Sequence, residues 1–495
     1  MKNCKRLSGI FALFFVPFFL FSTGRGDDGG FTVVAGKQAG GSETVFIAHN
    51  QDAAGSNILV NVHKIPAAAH QKTDVIKINS ATAISQTAQT AGYLWLQVPA
   101  KESADSFFNE NGVTITTNIC QSRENQPQLT GGGIGFMLPH IMIQRAISAK
   151  DAVRIAGELI ETYGYYNSGL CISIADPKEA WTLQVVKGKH WIAHRIPDDH
   201  AAVITNCYTI GKINLLDKQN FAGSNNIIQY AVKRGWYNPQ KDGPFHFAKA
   251  YAAMGTIEDR ANILRLWRSL NLLSKKKYKI DEPLPSIFPV QKEIGLIECF
   301  RILRDHYEDT EYDLTTDLKK GSPHTSRYPA ICTGNTSYSF VAELRGSDIQ
   351  KEIANRIWIA FSQPDNNAYC PWYTSITTPP EGYNPGNSDT ALITHFNQME
   401  KSLKSSPNLA YRCFAKLSEM VNVDYKNRIK PVKKEWKNLE SYAIKRLKKM
   451  EKEFTYLLEV DRHIARKIIT NDVHRLEYRK WFLAMELLKK LEKMD

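Results

Sequence analysis

The sequence predicts an α+β protein, and three observations carry that expectation. Strand-like and helix-like segments come in blocks rather than in strict alternation, which favours layered sheets and helices over a parallel doubly wound sheet. The 495 residues are 43% hydrophobic and 23% charged, with 21 prolines and 30 glycines, a composition that excludes disordered, collagen-like and low-complexity classes. The last section reads as a helical hairpin, so a sheet-and-helix body followed by a helical extension is expected.

In chain order, Lys2, Lys5 and Arg6 precede a nearly continuous apolar run from Leu7 to Phe21. About 15 apolar residues make a signal-peptide core, whereas a spanning helix needs about 20. Ser22 and Gly24 are small residues placed for a cut before Arg25. Residues 1–24 are therefore expected to be a signal peptide and 25–29 a leader remnant or linker. The product is expected to be exported, periplasmic or extracellular; an uncleaved signal anchor is the alternative. Phe31 to Ala35 and Thr44 to Ala48, parted by Gly36, Gly40 and Gly41, read as a β-hairpin. Further strands are expected at 57–62, 92–98 and 112–117. Helices follow at 134–146 and 149–163 by apolar spacing, then strands at 169–174, 180–186 and 190–195. Pro379 to Asn387 reads as a long loop, so the mixed domain is expected to span 30–387 and the helical extension 388–495.

In the extension, Trp436, Leu439, Ala443, Leu447, Met450, Phe454 and Leu457 recur at three- and four-residue steps. Leu476, Leu483, Leu487 and Leu491 continue after an expected break at Thr470-Asn471-Asp472. The formal net charge is +13, and Lys401 to Asp495 holds 24 basic and 13 acidic side chains. The remainder is nearly neutral, which argues against nucleic acid as a partner. The basic helices either pack on the body with their charges solvated or meet an anionic surface such as acidic lipid.

Seven cysteines follow Cys4, at wide spacings and without a Cys-x-x-Cys pair, and read mostly as small buried residues rather than a disulfide framework. No His-Glu-x-x-His, phosphate loop or Gly-x-Ser-x-Gly elbow occurs, so neither a metal nor a cofactor is expected. The chemistry is suggested by a constellation instead. Phe31-Thr-Val-Val-Ala-Gly-Lys37 is followed by Val45-Phe-Ile-Ala-His-Asn-Gln-Asp52, Asn109-Glu-Asn-Gly-Val-Thr-Ile115, Ala175-Asp-Pro-Lys-Glu-Ala-Trp181 and Arg195-Ile-Pro-Asp-Asp199. Leu303-Arg-Asp-His-Tyr-Glu-Asp-Thr-Glu-Tyr-Asp313 completes it.

In this order and spacing the segments resemble the PepD-like dipeptidases, cysteine hydrolases of the N-terminal-nucleophile superfamily related to penicillin and bile-salt amidases. The resemblance runs from about Gly30 to about Tyr373. It implies an αββα sandwich, short peptides as substrates, and a cysteine that becomes the first residue, its own α-amine shuttling the proton. Counting back from Gly36, that cysteine position is Gly30, which has no side chain. Asp52 matches the carboxylate that holds the α-amine, and Asn206 an asparagine that polarises substrate or steadies the amine. Asn118 lies where related folds supply an oxyanion donor. Arg265, in Asn262-Ile-Leu-Arg265-Leu-Trp267, resembles a site arginine and is assigned with His49 to substrate binding. Each of these has a bland alternative, a turn carboxylate or a structural amide.

Processing before Thr32 would offer a hydroxyl nucleophile, displaced by roughly 6–7 Å along the strand, a distance at which catalysis is largely lost. A cysteine restored at residue 30 is expected to recover hydrolysis if the supporting groups are intact. Three functions remain open: an active peptide hydrolase with another nucleophile, a non-catalytic peptide- or amide-binding relative, and an interaction protein acting through its basic tail.

Overall fold

The computed structural model describes residues 29–55, 58–318, 321–326, 328–346, 348–384, 388–396 and 409–494. The expected signal peptide and nearly all of the leader remnant lie outside the described residues. The strands that build the body are β1 (Gly29–Ala35), β2 (Val45–Asp52), β3 (Asn61–Ile65), β4 (Tyr93–Gln97), β5 (Ser106–Asn109), β6 (Thr114–Ile119), β7 (Tyr165–Ala175), β8 (Ala180–Gly188), β9 (Trp191–Ile196), β10 (His200–Ile204), β11 (Phe221–Gly223), β12 (Ile287–Pro289), β13 (Thr336–Leu344), β14 (Asn355–Phe361) and β15 (Cys370–Tyr373). They form a seven-stranded antiparallel sheet, β12-β10-β1-β2-β13-β14-β15, and an eight-stranded one, β11-β9-β8-β7-β6-β5-β4-β3.

The two sheets lie face to face. Phe108 of β5 meets Phe340 of β13 edge-on at 5.0 Å, and Ser106 Oγ lies 2.8 Å from the Tyr338 hydroxyl. Being covered on both faces explains why every residue of β1 and β2 is buried, and why β1 shows an unbroken run instead of polar alternation.

Helices α1 (Met137–Arg145) and α2 (Ala149–Tyr163) cover the outer face of the eight-stranded sheet. Their Leu138, Ile141, Val153, Ala156 and Ile160 pack on Trp95, Phe107, Ile172, Trp181 and Leu183. The Ser148 hydroxyl caps α2 by accepting from the Asp151 amide at 3.1 Å. Gly164 ends it at φ +78°, where a β-carbon would meet the Gln128 carbonyl. On the other sheet lie α3 (Arg260–Leu273), α4 (Leu296–Leu303) and three long C-terminal helices, α5 (Ala410–Val423), α6 (Tyr425–Val460) and α7 (Arg462–Leu491). The result is the αββα sandwich that the family resemblance implies.

The apolar stripe of the extension is part of this layer. Trp436 donates to the Asn366 carbonyl (2.7 Å), and Trp372 of β15 donates to Glu477 (2.7 Å). Glu477 also pairs with Lys480 at 2.6 Å, both side chains being at most 1% exposed. The expected break at Thr470–Asp472 is not there: α7 runs through it, and the chain turns at Asp461, whose side chain accepts from the His463 and Ile464 amides. The polar triplet is tolerated inside the helix because Asp472 pairs with Arg446 and Arg475 and the Thr470 hydroxyl bonds the Arg466 carbonyl. Among the described residues no helix is long and apolar enough to cross a membrane.

Lys480→Ala should therefore destabilise the protein by about 3–5 kcal/mol in urea denaturation, because it strands the Glu477 carboxylate in the interior. Combining Lys480→Met with Glu477→Gln should restore most of that loss. A single-variant loss below about 1 kcal/mol would mean that the pair behaves as a surface contact.

Candidate active site

Strand pairing builds the site at one end of the sandwich. β1 runs antiparallel to β2, with Gly29 opposite Asp52, Gly30 opposite Gln51 and Thr32 opposite His49. Alternation along β1 turns positions 30 and 32 toward the facing sheet, where Asn118 of β6 waits. Asn206 follows β10, the other neighbour of β1, and Arg265 comes from the second turn of α3. That helix is started by Asp259, whose side chain accepts from the Ala261 and Asn262 amides.

Asp52, Asn206, Asn118, Arg265 and His49 thus all surround Gly30. The Gly30 amide points at Asn206 Oδ1 (3.4 Å), and Arg265 donates to the Gly30 carbonyl (3.4 Å), to Asn206 Oδ1 (3.0 Å) and to Asn262 Oδ1 (2.9 Å). Asn206 Nδ2 donates to the Ile119 carbonyl at 3.2 Å. Asp52 Oδ2 lies 3.9 Å from the Arg265 guanidinium, and Oδ1 accepts from the hydroxyls of Thr336 (2.8 Å) and Thr333 (3.3 Å). A positively charged group near the Gly30 nitrogen would find Asp52 and Asn206 Oδ1 already oriented.

His49 corrects one expectation. Its side chain is fully buried and both ring nitrogens are engaged, Nδ1 with Thr32 Oγ1 (2.8 Å) and Nε2 with Gln51 Oε1 (3.1 Å). Burial lowers its pKa to about 4, against the opposing hydrogen bond from Gln51, so the ring is neutral at neutral pH. It is a wall of the site rather than a substrate contact.

The direction of donation along this chain is set by the backbone. Gln51 Nε2 donates to the Gly29 carbonyl (2.6 Å), so Oε1 faces His49 and accepts from Nε2–H. His49 Nδ1 then accepts the Thr32 hydroxyl proton. Asn118 Oδ1 also lies 2.7 Å from Thr32 Oγ1, while its buried Nδ2 has no partner. One hydroxyl proton cannot serve two acceptors. Rotating the Asn118 amide by half a turn resolves both problems, giving N–H to Thr32 and directing Oδ1 toward residue 30. An acceptor there is the wrong polarity for an oxyanion. Thr32 itself is fully buried, with its hydroxyl engaged by both His49 and Asn118.

Position 30 is also tightly lined. A β-carbon built on Gly30 lies 2.9 Å from His49 Cε1, 3.0 Å from the Asn50 carbonyl oxygen and 3.2 Å from the Asn118 amide. The ring is held at both nitrogens and the carbonyl belongs to the sheet, so neither yields cheaply. Residue types and order made the cluster legible in the sequence. The inward turn of His49 and the polarity of Asn118 depend on register and hydrogen bonding, which no spacing reveals.

Residues 30–438 match the model of peptidase family C69. The chain is 24% identical over 371 residues to a probable dipeptidase of Latilactobacillus sakei, covering 71% of this chain and 75% of that protein. It is 28% identical over 281 residues to dipeptidase A of Lactobacillus helveticus, with 54% and 57% covered. It is 23% identical over 374 residues to probable dipeptidase B of Streptococcus pyogenes serotype M1, with 73% and 71% covered. Among solved structures, penicillin V acylase from Agrobacterium tumefaciens aligns over 70% of this chain and 85% of its own at a TM-score of 0.36 and 10% identity. With most of its length matched, from Gly30 through both sheets into α6, the chain belongs to peptidase family C69.

Proposed function

We propose that this chain is an exported, non-catalytic member of the dipeptidase family that recognises short peptides through the polar cluster around Gly30. The reading is supported by Gly30, which carries no side chain at the position where the family resemblance puts the nucleophile, and by its close surroundings, with His49 Cε1 2.9 Å from where a β-carbon would stand. The anchoring half persists: Asp52 and Asn206 suit an α-amine, and Arg265 adds a cation beside them. Relatives named dipeptidases point to short peptides as the ligand class.

Turnover of a dipeptide panel by the purified, leader-free protein should stay at background, while calorimetry detects dipeptide binding. Asp52→Asn should weaken that binding about tenfold or more, the size expected for a charge-assisted hydrogen bond. Turnover that survives stringent purification and vanishes with Thr32→Ala would reinstate a hydroxyl nucleophile and defeat the proposal. Gly30→Ala should cost about 1–3 kcal/mol of stability by overpacking, and Gly30→Cys should remain inactive for the same reason. A neutral Gly30→Ala would mean that the pocket is open.

The extension supports a second, separable reading. Lys433, Lys434, Lys437, Lys445, Lys448, Lys449 and Lys452 of α6 are all exposed, and several follow three- and four-residue steps. Such a stripe attracts anionic surfaces over a screening length of about 8 Å at physiological salt. Binding to vesicles rich in acidic lipid should fall steeply with added salt and with Lys→Gln changes at Lys434, Lys437, Lys445 and Lys448. Equal partitioning of wild type and variant at low salt would reduce these lysines to solvation.

A further inference from the structure

Next to Thr333, whose hydroxyl donates to Asp52, four side chains converge that no sequence pattern links. His306 follows α4, His324 lies in the one-turn helix Pro323–Thr325, Cys332 precedes β13 and Asp365 follows β14. One potential ligand atom from each lies within 4.8 Å of the other three. All four side chains are at most 2% exposed. His306 Nε2 and His324 Nε2 are 2.9 Å apart, Cys332 Sγ lies 3.7 Å from His324 Nε2 and 3.6 Å from Asp365 Oδ1, and the two imidazoles lie 3.9 and 3.6 Å from the Asp365 carboxylate. Tetrahedral zinc, bound at about 2.0–2.1 Å to nitrogen and 2.3 Å to sulfur, sets its ligand atoms roughly 3.3–3.6 Å apart.

The surroundings orient these groups inward. His306 Nδ1 faces the Glu308 carboxylate at 3.3 Å, which only accepts. His324 Nδ1 donates to Asn422 Oδ1 (2.8 Å), an orientation fixed because Asn422 Nδ2 donates to Gln363 Oε1 while Gln363 Nε2 donates to the Gly334 carbonyl. Both Nδ1 atoms therefore carry the proton, and both Nε2 lone pairs point at each other across 2.9 Å. That arrangement is repulsive unless a metal ion or an additional proton sits between them. Tyr425 donates to Asp365 Oδ2 (2.8 Å), directing the other oxygen to Cys332. Partners on the outer nitrogens and oxygens are what protein metal sites use to aim their ligands.

We infer that His306, His324, Cys332 and Asp365 form a structural site for a divalent, thiolate-tolerant cation, zinc above all. Two neutral imidazoles, a thiolate and a carboxylate would balance its charge, and four protein ligands leave no open position for catalysis. The ion would staple the 306–332 segment to the β14 turn, and through Asn422 and Tyr425 to α5 and α6. Cys332 adjoins Thr333, whose hydroxyl holds Asp52, and Asn50 of β2 donates to the Ile331 carbonyl at 2.9 Å. The staple would thus set the floor of the peptide site. It is independent of whether that site binds peptide.

The test is elemental analysis of the full-length protein purified without chelators, followed by exchange into cobalt. Equimolar zinc is expected, and the cobalt form should show thiolate-to-metal charge transfer with intense tetrahedral bands. Cys332→Ser and His324→Ala should each lose the metal and the charge-transfer band. Because either variant can fold poorly, the wild type supplies a second measurement: after chelation, added zinc should raise its thermal midpoint and slow alkylation of Cys332. Wild type with native circular dichroism that holds substoichiometric zinc and gives no cobalt spectrum would overturn the inference. So would Cys332 alkylation at one rate with and without zinc, which would favour a proton shared between the two imidazoles.

Discussion

Pairing of β1 with β2 on one side and β10 on the other holds residue 30 against a space between the sheets that is already filled. From that constraint follows a one-way relay of hydrogen bonds. The Gly29 carbonyl orients Gln51, Gln51 orients His49, His49 takes the Thr32 proton, and Thr32 in turn demands a donor from Asn118. Each member is buried, so reversing any one would leave a polar atom unpaired at a cost of about 1–3 kcal/mol. The surroundings of Gly30 are therefore held in place by one connected set of buried hydrogen bonds.

Two halves of the site have diverged in character. On the Gly30 nitrogen side, Asp52, Asn206 and Arg265 form an ionic cluster suited to a terminal amine and a carbonyl. On the side-chain side, His49 Cε1 and Asn118 Nδ2 lie 2.9 and 3.2 Å from where a residue-30 β-carbon would stand. The proposal of recognition without turnover rests on this difference between the two sides.

Much of this was legible in the residues. The β1–β2 hairpin, the helix at 149–163 and the strand expected at 180–186 declare themselves by periodicity and turn residues, the strand running on to Gly188. The ordered motifs placed Asp52, Asn118, Asn206 and Arg265 around Gly30. Other features were hidden for identifiable reasons. Thr470-Asn471-Asp472 looks like a turn, but its polar groups find partners on α6 and in the preceding turn of α7. His306, His324 and Cys332 are spread along the connection between α4 and β13 and Asp365 follows β14, so their meeting is a property of the fold. The apolar stripe of the extension allowed packing on the body, but the polar contacts that fasten it there were not visible in the spacing: Glu440 pairs with Arg304 and accepts from the Tyr369 amide at 2.8 Å, and Glu477 accepts from Trp372.

The central claim is that the cluster at Gly30 holds no group able to attack a carbonyl. Intact-protein mass spectrometry after treatment of the folded, leader-free protein with a dipeptidyl chloromethyl ketone tests it directly. The account predicts no adduct on Thr32 or the mature N-terminal residue, with the buried thiols modified only after unfolding and any adduct on the half-buried Cys413 identified by its peptide. A stoichiometric adduct mapping to Thr32 or to the mature N-terminal residue would contradict it.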